Sequence, residues 1–122
     1  MIYFCISTVK SADAQRLARQ LVEERLAACV NVLPGAQSIY RWKGEICEDE
    51  ESVLYIKTSP NSVGTFEERF RELHPYDCPE LLILPVEEGL KEYFYWVEES
   101  TLPNRSGEHS LQSDSEREGD AS

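Results

Sequence analysis

The sequence is short of basic residues and of the motifs that mark catalysis. Lys and Arg number 12 against 23 Asp and Glu, a formal charge of −11 over 122 residues. A surface of that sign repels phosphate backbones and anionic headgroups, which excludes nucleic acid and membrane as expected partners. No run approaches the ~18 apolar residues needed to cross a bilayer. The opening stretch, MIYFCISTV, lacks a basic leader and a small-residue cleavage site, so the expected location is the cytoplasm. Cys5, Cys29, Cys47 and Cys78 form no C-x-x-C pair, which removes a zinc ribbon or thioredoxin-type site and leaves small buried hydrophobes as the ordinary reading. There is no nucleophile elbow, P-loop or H-E-x-x-H, and no internal repeat. The expectation is a protein without a catalytic constellation and without an organic cofactor.

What is present divides the chain in two. After Pro103 the composition shifts to Ser, Gly and charge with one large apolar residue, Leu111. That segment, 104–122, buries too little surface to offset its ordering entropy and reads as a disordered, acidic, Ser-rich tail. Residues 1–103 form the expected folded domain. Ile2 to Thr8 is a strand. Ser11 is the N-cap candidate of a helix with Asp13 in its first turn and Ala14, Leu17, Leu21 and Val22 as its apolar stripe. CVNVL (29–33) is a strand stopped by Pro34-Gly35. SIYRWKGEI (38–46) is a strand turning near Lys43-Gly44, EDEE (48–51) a solvated loop, and VLYIKT (53–58) another strand. Ser59-Pro60 opens a second helix, with Val63, Phe66, Phe70 and Leu73 on one face, and Pro75 ends it at His74. LLILPV (81–86) is a strand and YFYWVEEST (93–101) a short terminal helix.

The order β-α-β, hairpin, α-β and a final helix is the split βαβ plan. It predicts an α+β, ferredoxin-like sandwich: an antiparallel sheet with two helices on one face, plus a short C-terminal helix. The second sheet face should then be polar, yet LLILPV is apolar on both sides and VLYIKT nearly so. A partner subunit is the simplest cover, so self-association through the sheet is expected.

ERLAACVNVLPG (24–35), SIYRWKGEI (38–46), LYIKTS (54–59), LHPYDCPELLILPV (73–86) and YWVEEST (95–101) together resemble the CutA divalent-cation tolerance family across nearly all of residues 2 to 102. The resemblance implies a ferredoxin-like homotrimer with sheets packed around the threefold axis and strands extended between subunits. It also implies tolerance of copper and other divalent cations, with no assigned reaction. In the family, copper ligation is associated with a first-strand cysteine and two adjacent histidines at the exit of the second helix. Here Ile6 stands at the cysteine position, with Cys5 beside it on the opposite face of the strand. Leu73 stands at the first histidine, and only His74 matches.

The candidate sites follow. For a metal, copper or another divalent cation, the ligand candidates are His74, Cys5 and Cys78, imidazole and thiolate being suited to copper and zinc. Against them stands the reading of His74 as a helix-terminal residue bonded to free carbonyls. For a small polar or anionic ligand, the candidates are Tyr40, Trp42, Lys57, Tyr76, Glu80 and Trp96, aromatics with one cation and one carboxylate as a cleft requires. Lys57 shares a strand side with Val53 and Tyr55, which strips water from its ammonium, and the alternative there is interface packing with Lys57 paired to a carboxylate. The expected function is divalent-cation binding or response by a trimer. A PII-like ligand-sensing trimer and a purely structural or interaction trimer are the alternatives.

Overall fold

The structure, a computed structural model, describes residues 1–60 and 63–103; the expected tail lies outside the described residues, as do Asn61 and Ser62. The elements are β1 (Ile2–Val9), α1 (Ser11–Glu23), β2 (Cys29–Trp42), β3 (Glu45–Thr58), α2 (Val63–Leu73), β4 (Leu82–Val86) and α3 (Lys91–Ser100). The strands form one sheet in the order β2-β3-β1-β4 with every neighbouring pair antiparallel. β3 therefore lies between β1 and β2, which is the split βαβ arrangement expected from the element order. Among the described residues no helix is long and apolar enough to cross a membrane.

Helix-facing side chains of the sheet, Cys5 and Val9 from β1 with Leu54 and Ile56 from β3, are buried against Leu17 and Leu21 of α1 and Phe66 and Phe70 of α2. The alternation is the period-2 signature of a strand with one face on the core. Pro75 acts as expected: α2 ends at Leu73, and the His74 amide still donates to the Phe70 carbonyl at 2.9 Å. α3 covers one end of the second sheet face, where Val97, Phe94 and Trp96 gather on Ile2, Ala28 and Val86.

The structure differs from the sequence reading at several points, each for a tertiary reason. Pro34-Gly35 does not stop β2. It sits in an irregularity of the ladder between Leu33 and Ala36, after which pairing with β3 resumes. Proline is tolerated there because β2 is an edge strand, and Gly35 takes φ +88°, open to glycine without strain. EDEE is strand, not loop: Glu48 to Glu51 pair with Ile39 to Ala36, so cross-strand pairing overrides the low β-propensity of the acids. β2 and β3 thus form a long hairpin closed at Lys43 and Gly44, both at positive φ, as a two-residue I′ turn requires. α1 has Lys10, not Ser11, at its N-cap position. Val22 is exposed, one residue round the helix from the buried face of Ala14, Leu17, Ala18 and Leu21. The Ser59 hydroxyl is shared with Thr101 Oγ1 at 2.7 Å, and α3 begins at Lys91, earlier than expected.

Phe66 and Phe70 stack with centroids 5.6 Å apart in the core. Phe70→Ala is expected to destabilise the protein by about 3–5 kcal/mol, and Tyr95→Ala, on the exposed side of α3, by no more than about 0.5 kcal/mol. Urea denaturation of the two variants checks the contrast.

Candidate functional site

The second sheet face, on which Lys57 lies, has three zones. α3 covers one end. In the middle, Phe4 and Ile6 of β1 lie beside Leu84 and Leu82 of β4, and beside Lys57 and Tyr55 of β3. Leu82 is 53% exposed and Leu84 44%, with Leu33 of β2 also exposed, so this middle is an uncovered apolar surface. At the far end the 74–80 loop brings polar groups to the sheet, and beyond it the β2–β3 hairpin projects past the end of β1.

The polar end is built around His74. Its imidazole is buried between Phe70 and Tyr76, with ring centroids 5.4 and 4.6 Å away. Nδ1 accepts the Tyr76 backbone N–H at 3.1 Å, so Nε2 carries the proton and donates to the Thr8 carbonyl at 2.8 Å. Burial pushes the imidazole below its ordinary range; the Thr8 hydrogen bond and the charges of Glu51 and Asp13 act the other way. Tyr76 reaches from there to Glu51, its phenol donating to Oε2 at 2.6 Å. Burial and then the Glu51 carboxylate push that phenol up. Thr8 Oγ1 donates to Glu80 at 3.4 Å.

Lys57 sits near the α3 end. Its ammonium donates to Asn31 Oδ1 and lies 3.8 Å from Cys29 Sγ. The partner is an amide and a thiol, not the carboxylate of the alternative reading. Tyr93 stacks on Trp96 at 5.6 Å, and burial raises its phenol, with Cys29 a smaller cause. Tyr40 and Trp42 stand away from both zones on the hairpin. The Tyr40 phenol donates to Asp49, and that bond pushes it up to about 12. Trp42 is half exposed near the hairpin turn, with Lys43 Nζ 6.0 Å from its ring centroid.

The six ligand candidates thus fall into three groups within one chain: Lys57 with Trp96, Tyr76 with Glu80, and Tyr40 with Trp42. The metal candidates are not brought together either. Cys5 is fully buried on the helix side of the sheet, its thiol pushed up to about 12 by burial and then by Glu67. Cys78 is exposed, and His74 has both ring nitrogens engaged. Among the described residues no group of three or more His, Cys, Asp or Glu is placed to hold a metal, so one chain alone does not fit a complete site. A groove of about 210 Å³ between α2 and β4, lined by Glu67, Phe70, Arg71, Pro79, Leu81 and Ile83, contains none of the candidates.

Sequence reasoning missed Glu51, read as part of a solvated loop, and Asn31. Both are ordinary surface residue types in one dimension. Only the strand register, which sets Asn31 opposite Tyr55 and Glu51 opposite Ala36, shows what they meet.

The profile of the "CutA1 divalent ion tolerance protein" family matches residues 2–100. The chain belongs to the CutA1 family. It is 50% identical over 95 residues to the divalent-cation tolerance protein CutA of Thermus thermophilus, a match spanning 77% of this chain and 92% of that one. It is 48% identical over 88 residues to the CutA protein of Mus musculus, covering 72% of this chain and 50% of that protein, so it spans about half the length of that relative. The solved structure of a "PII-like protein CutA" from Nostoc sp. superposes with TM-score 0.79 at 36% identity, over 84% of this chain and 99% of that one. The CutA fold is therefore that of the whole described domain, and the four-stranded sheet with its two faces is the family's scaffold.

Because His74 is held neutral, it links stability to pH. Its folded-state value lies below the ordinary 6.5, so between the two the unfolded chain binds more protons. Stability is full above about pH 6.5 and falls as pH drops through that window. His74→Gln is expected to flatten this segment of the stability profile, checked by urea midpoints between pH 5 and 7.5.

Proposed function

We propose that this CutA-family chain is a self-assembling, cytoplasmic divalent-cation tolerance protein that answers to cations, copper foremost, by reversible binding and not by turnover. The observation that carries the reading is the uncovered apolar middle of the second sheet face, bordered by polar groups at its far end. Leu33, Leu82 and Leu84, with Trp42 farther out on the same side of the hairpin, form a surface that water disfavours, and Ile39 and Ile46 are exposed on the hairpin's other side. A second copy supplies the same surface in return, and a trimer closed about a threefold axis satisfies every copy equally. Cation coordination then draws on groups from more than one copy, since the described residues of one chain bring no such set together. The exposed Cys78 thiol and the Glu80 carboxylate are the available donors near the rim, while His74 is committed internally. Cytoplasmic placement rests on four free cysteines, ordinary in a reducing compartment.

A second reading has its own observation. Lys57 is a half-buried cation on the same face, held by Asn31 beside Cys29 and close to α3. A cleft completed there by a neighbouring copy suits a small anion, as in a PII-like sensor.

Native mass spectrometry with and without copper tests both. The expected result is a trimer that retains copper in whole-number ratio to chains, with the ratio unchanged in His74→Ala and lowered in Cys78→Ser. A monomer, or a trimer that retains no copper, overturns the cation reading. Retention of small anions, lost in Lys57→Ala, would favour the second.

A further inference from the structure

The hairpin leaves the body of the sheet at one defined level, and two side-chain hydrogen bonds meet it there from opposite faces. β1 ends at Val9, which pairs with Ser52. Beyond that point β3 is paired with β2 alone, so residues 36–51 form an arm with no strand on its inner side. At the same level β2 carries its irregularity at Pro34-Gly35. A bulge bends its strand and leaves the local ladder weakened, so a hairpin rooted at one has a natural hinge. Glu51 and Ser52 stand opposite that hinge and, as consecutive strand residues, point to opposite faces. Both are buried, at 6% and 1% exposure. On the helix side, Ser52 Oγ meets Ser11 Oγ in the first turn of α1 at 2.9 Å. On the second face, Glu51 receives the Tyr76 phenol at 2.6 Å. Tyr76 is itself fixed through its backbone N–H on His74, which is anchored on the Thr8 carbonyl next to the end of β1. These bonds tie the root of the arm to α1, β1 and the loop after α2, elements the hairpin does not otherwise contain.

We infer that Ser11 and Tyr76 are positioning residues for assembly: they pin Ser52 and Glu51 from the two faces of the sheet and hold the arm at the angle from which its exposed Ile39, Trp42 and Ile46 reach a second copy. The inference rests on the self-assembly reading above. Tyr76 thereby acts inside its own chain and not as a ligand-lining group. The arm spans about 20 Å from Ala36 to Trp42 at ordinary strand rise, so a small change of angle at its root displaces its end by several ångströms. Loss of either pin lets the arm sample orientations that do not dock, and the cost is read in association.

The test is a dilution series of the full chain by analytical ultracentrifugation, comparing wild type with Tyr76→Phe, Ser52→Ala, Glu51→Gln and Thr58→Val. Thr58 donates a buried hydrogen bond of 2.7 Å to the Leu26 carbonyl, away from the hinge, and serves as a matched loss of one internal bond. Expected are about tenfold higher dissociation concentrations for Tyr76→Phe and for Ser52→Ala, the effect of one buried hydrogen bond expressed as association. Glu51→Gln, which keeps an acceptor for the phenol, should associate as wild type does. Thr58→Val should lower thermal stability and leave association unchanged. Faster amide exchange across 45–51 in the two hinge variants, absent in Thr58→Val, supports the same conclusion. Unaltered association in both hinge variants overturns the inference, as does an equal weakening in Thr58→Val. A wild type that stays monomeric at every concentration instead overturns the self-assembly reading and this inference with it. Should Tyr76→Phe fail to fold, Ser52→Ala decides alone.

Discussion

The unequal length of two hydrogen-bonded neighbours, β1 and β3, governs the rest of this structure. β3 runs for 14 residues and β1 for 8. Where the two overlap, from Ser52 to Thr58, β3 is paired on both sides across Val53 to Lys57, and its helix-facing side chains are buried. Where β1 has ended, the same strand becomes half of a projecting hairpin with exposed Ile46 and a row of acids. One continuous ladder thus changes from core to arm within two residues, and three hydrogen-bonded contacts gather at that step: Ser52 with Ser11, Glu51 with Tyr76, His74 with Thr8. Buried polar groups persist where they find partners, and the step is where chain ends, turns and strand edges present them.

This arrangement links packing to function. The sheet places its apolar core against α1 and α2, while α3 covers only part of the opposite face, around Ile2 and Val97. The remainder exposes leucines beside polar rims, a composition suited to an interface between copies with clefts at its margin. The chain shares its family with CutA proteins of bacterial and animal origin.

Periodic features were legible in the sequence because they follow from local geometry. The Phe66, Phe70 and Leu73 spacing, the Pro75 stop and the Lys43-Gly44 turn need only neighbours within a few residues. So did the anomaly of a sheet apolar on both sides. The Pro34-Gly35 pair misled because a proline that breaks an isolated strand is harmless at a bulge on an edge strand. EDEE misled because four acids read as solvated until a partner strand is placed beside them. His74 was identifiable as a special position, but its tautomer, and hence its engagement at both nitrogens, depends on groups at Thr8 and Tyr76 that meet it only in the folded chain.

Sequence alone therefore determined the element order, the split βαβ plan, the acidic character that disfavours phosphate partners and the need to cover a second sheet face. These depend on composition and on periods of two and 3.6 residues, which are properties of short segments. The tertiary structure decided which residues meet: Lys57 with Asn31, Tyr76 with Glu51, Ser52 with Ser11, and Cys5 enclosed in the core away from the other candidate ligands. Such meetings are set by strand register and by loops that return from distant parts of the chain, and a one-residue change of register would exchange the two faces of a strand.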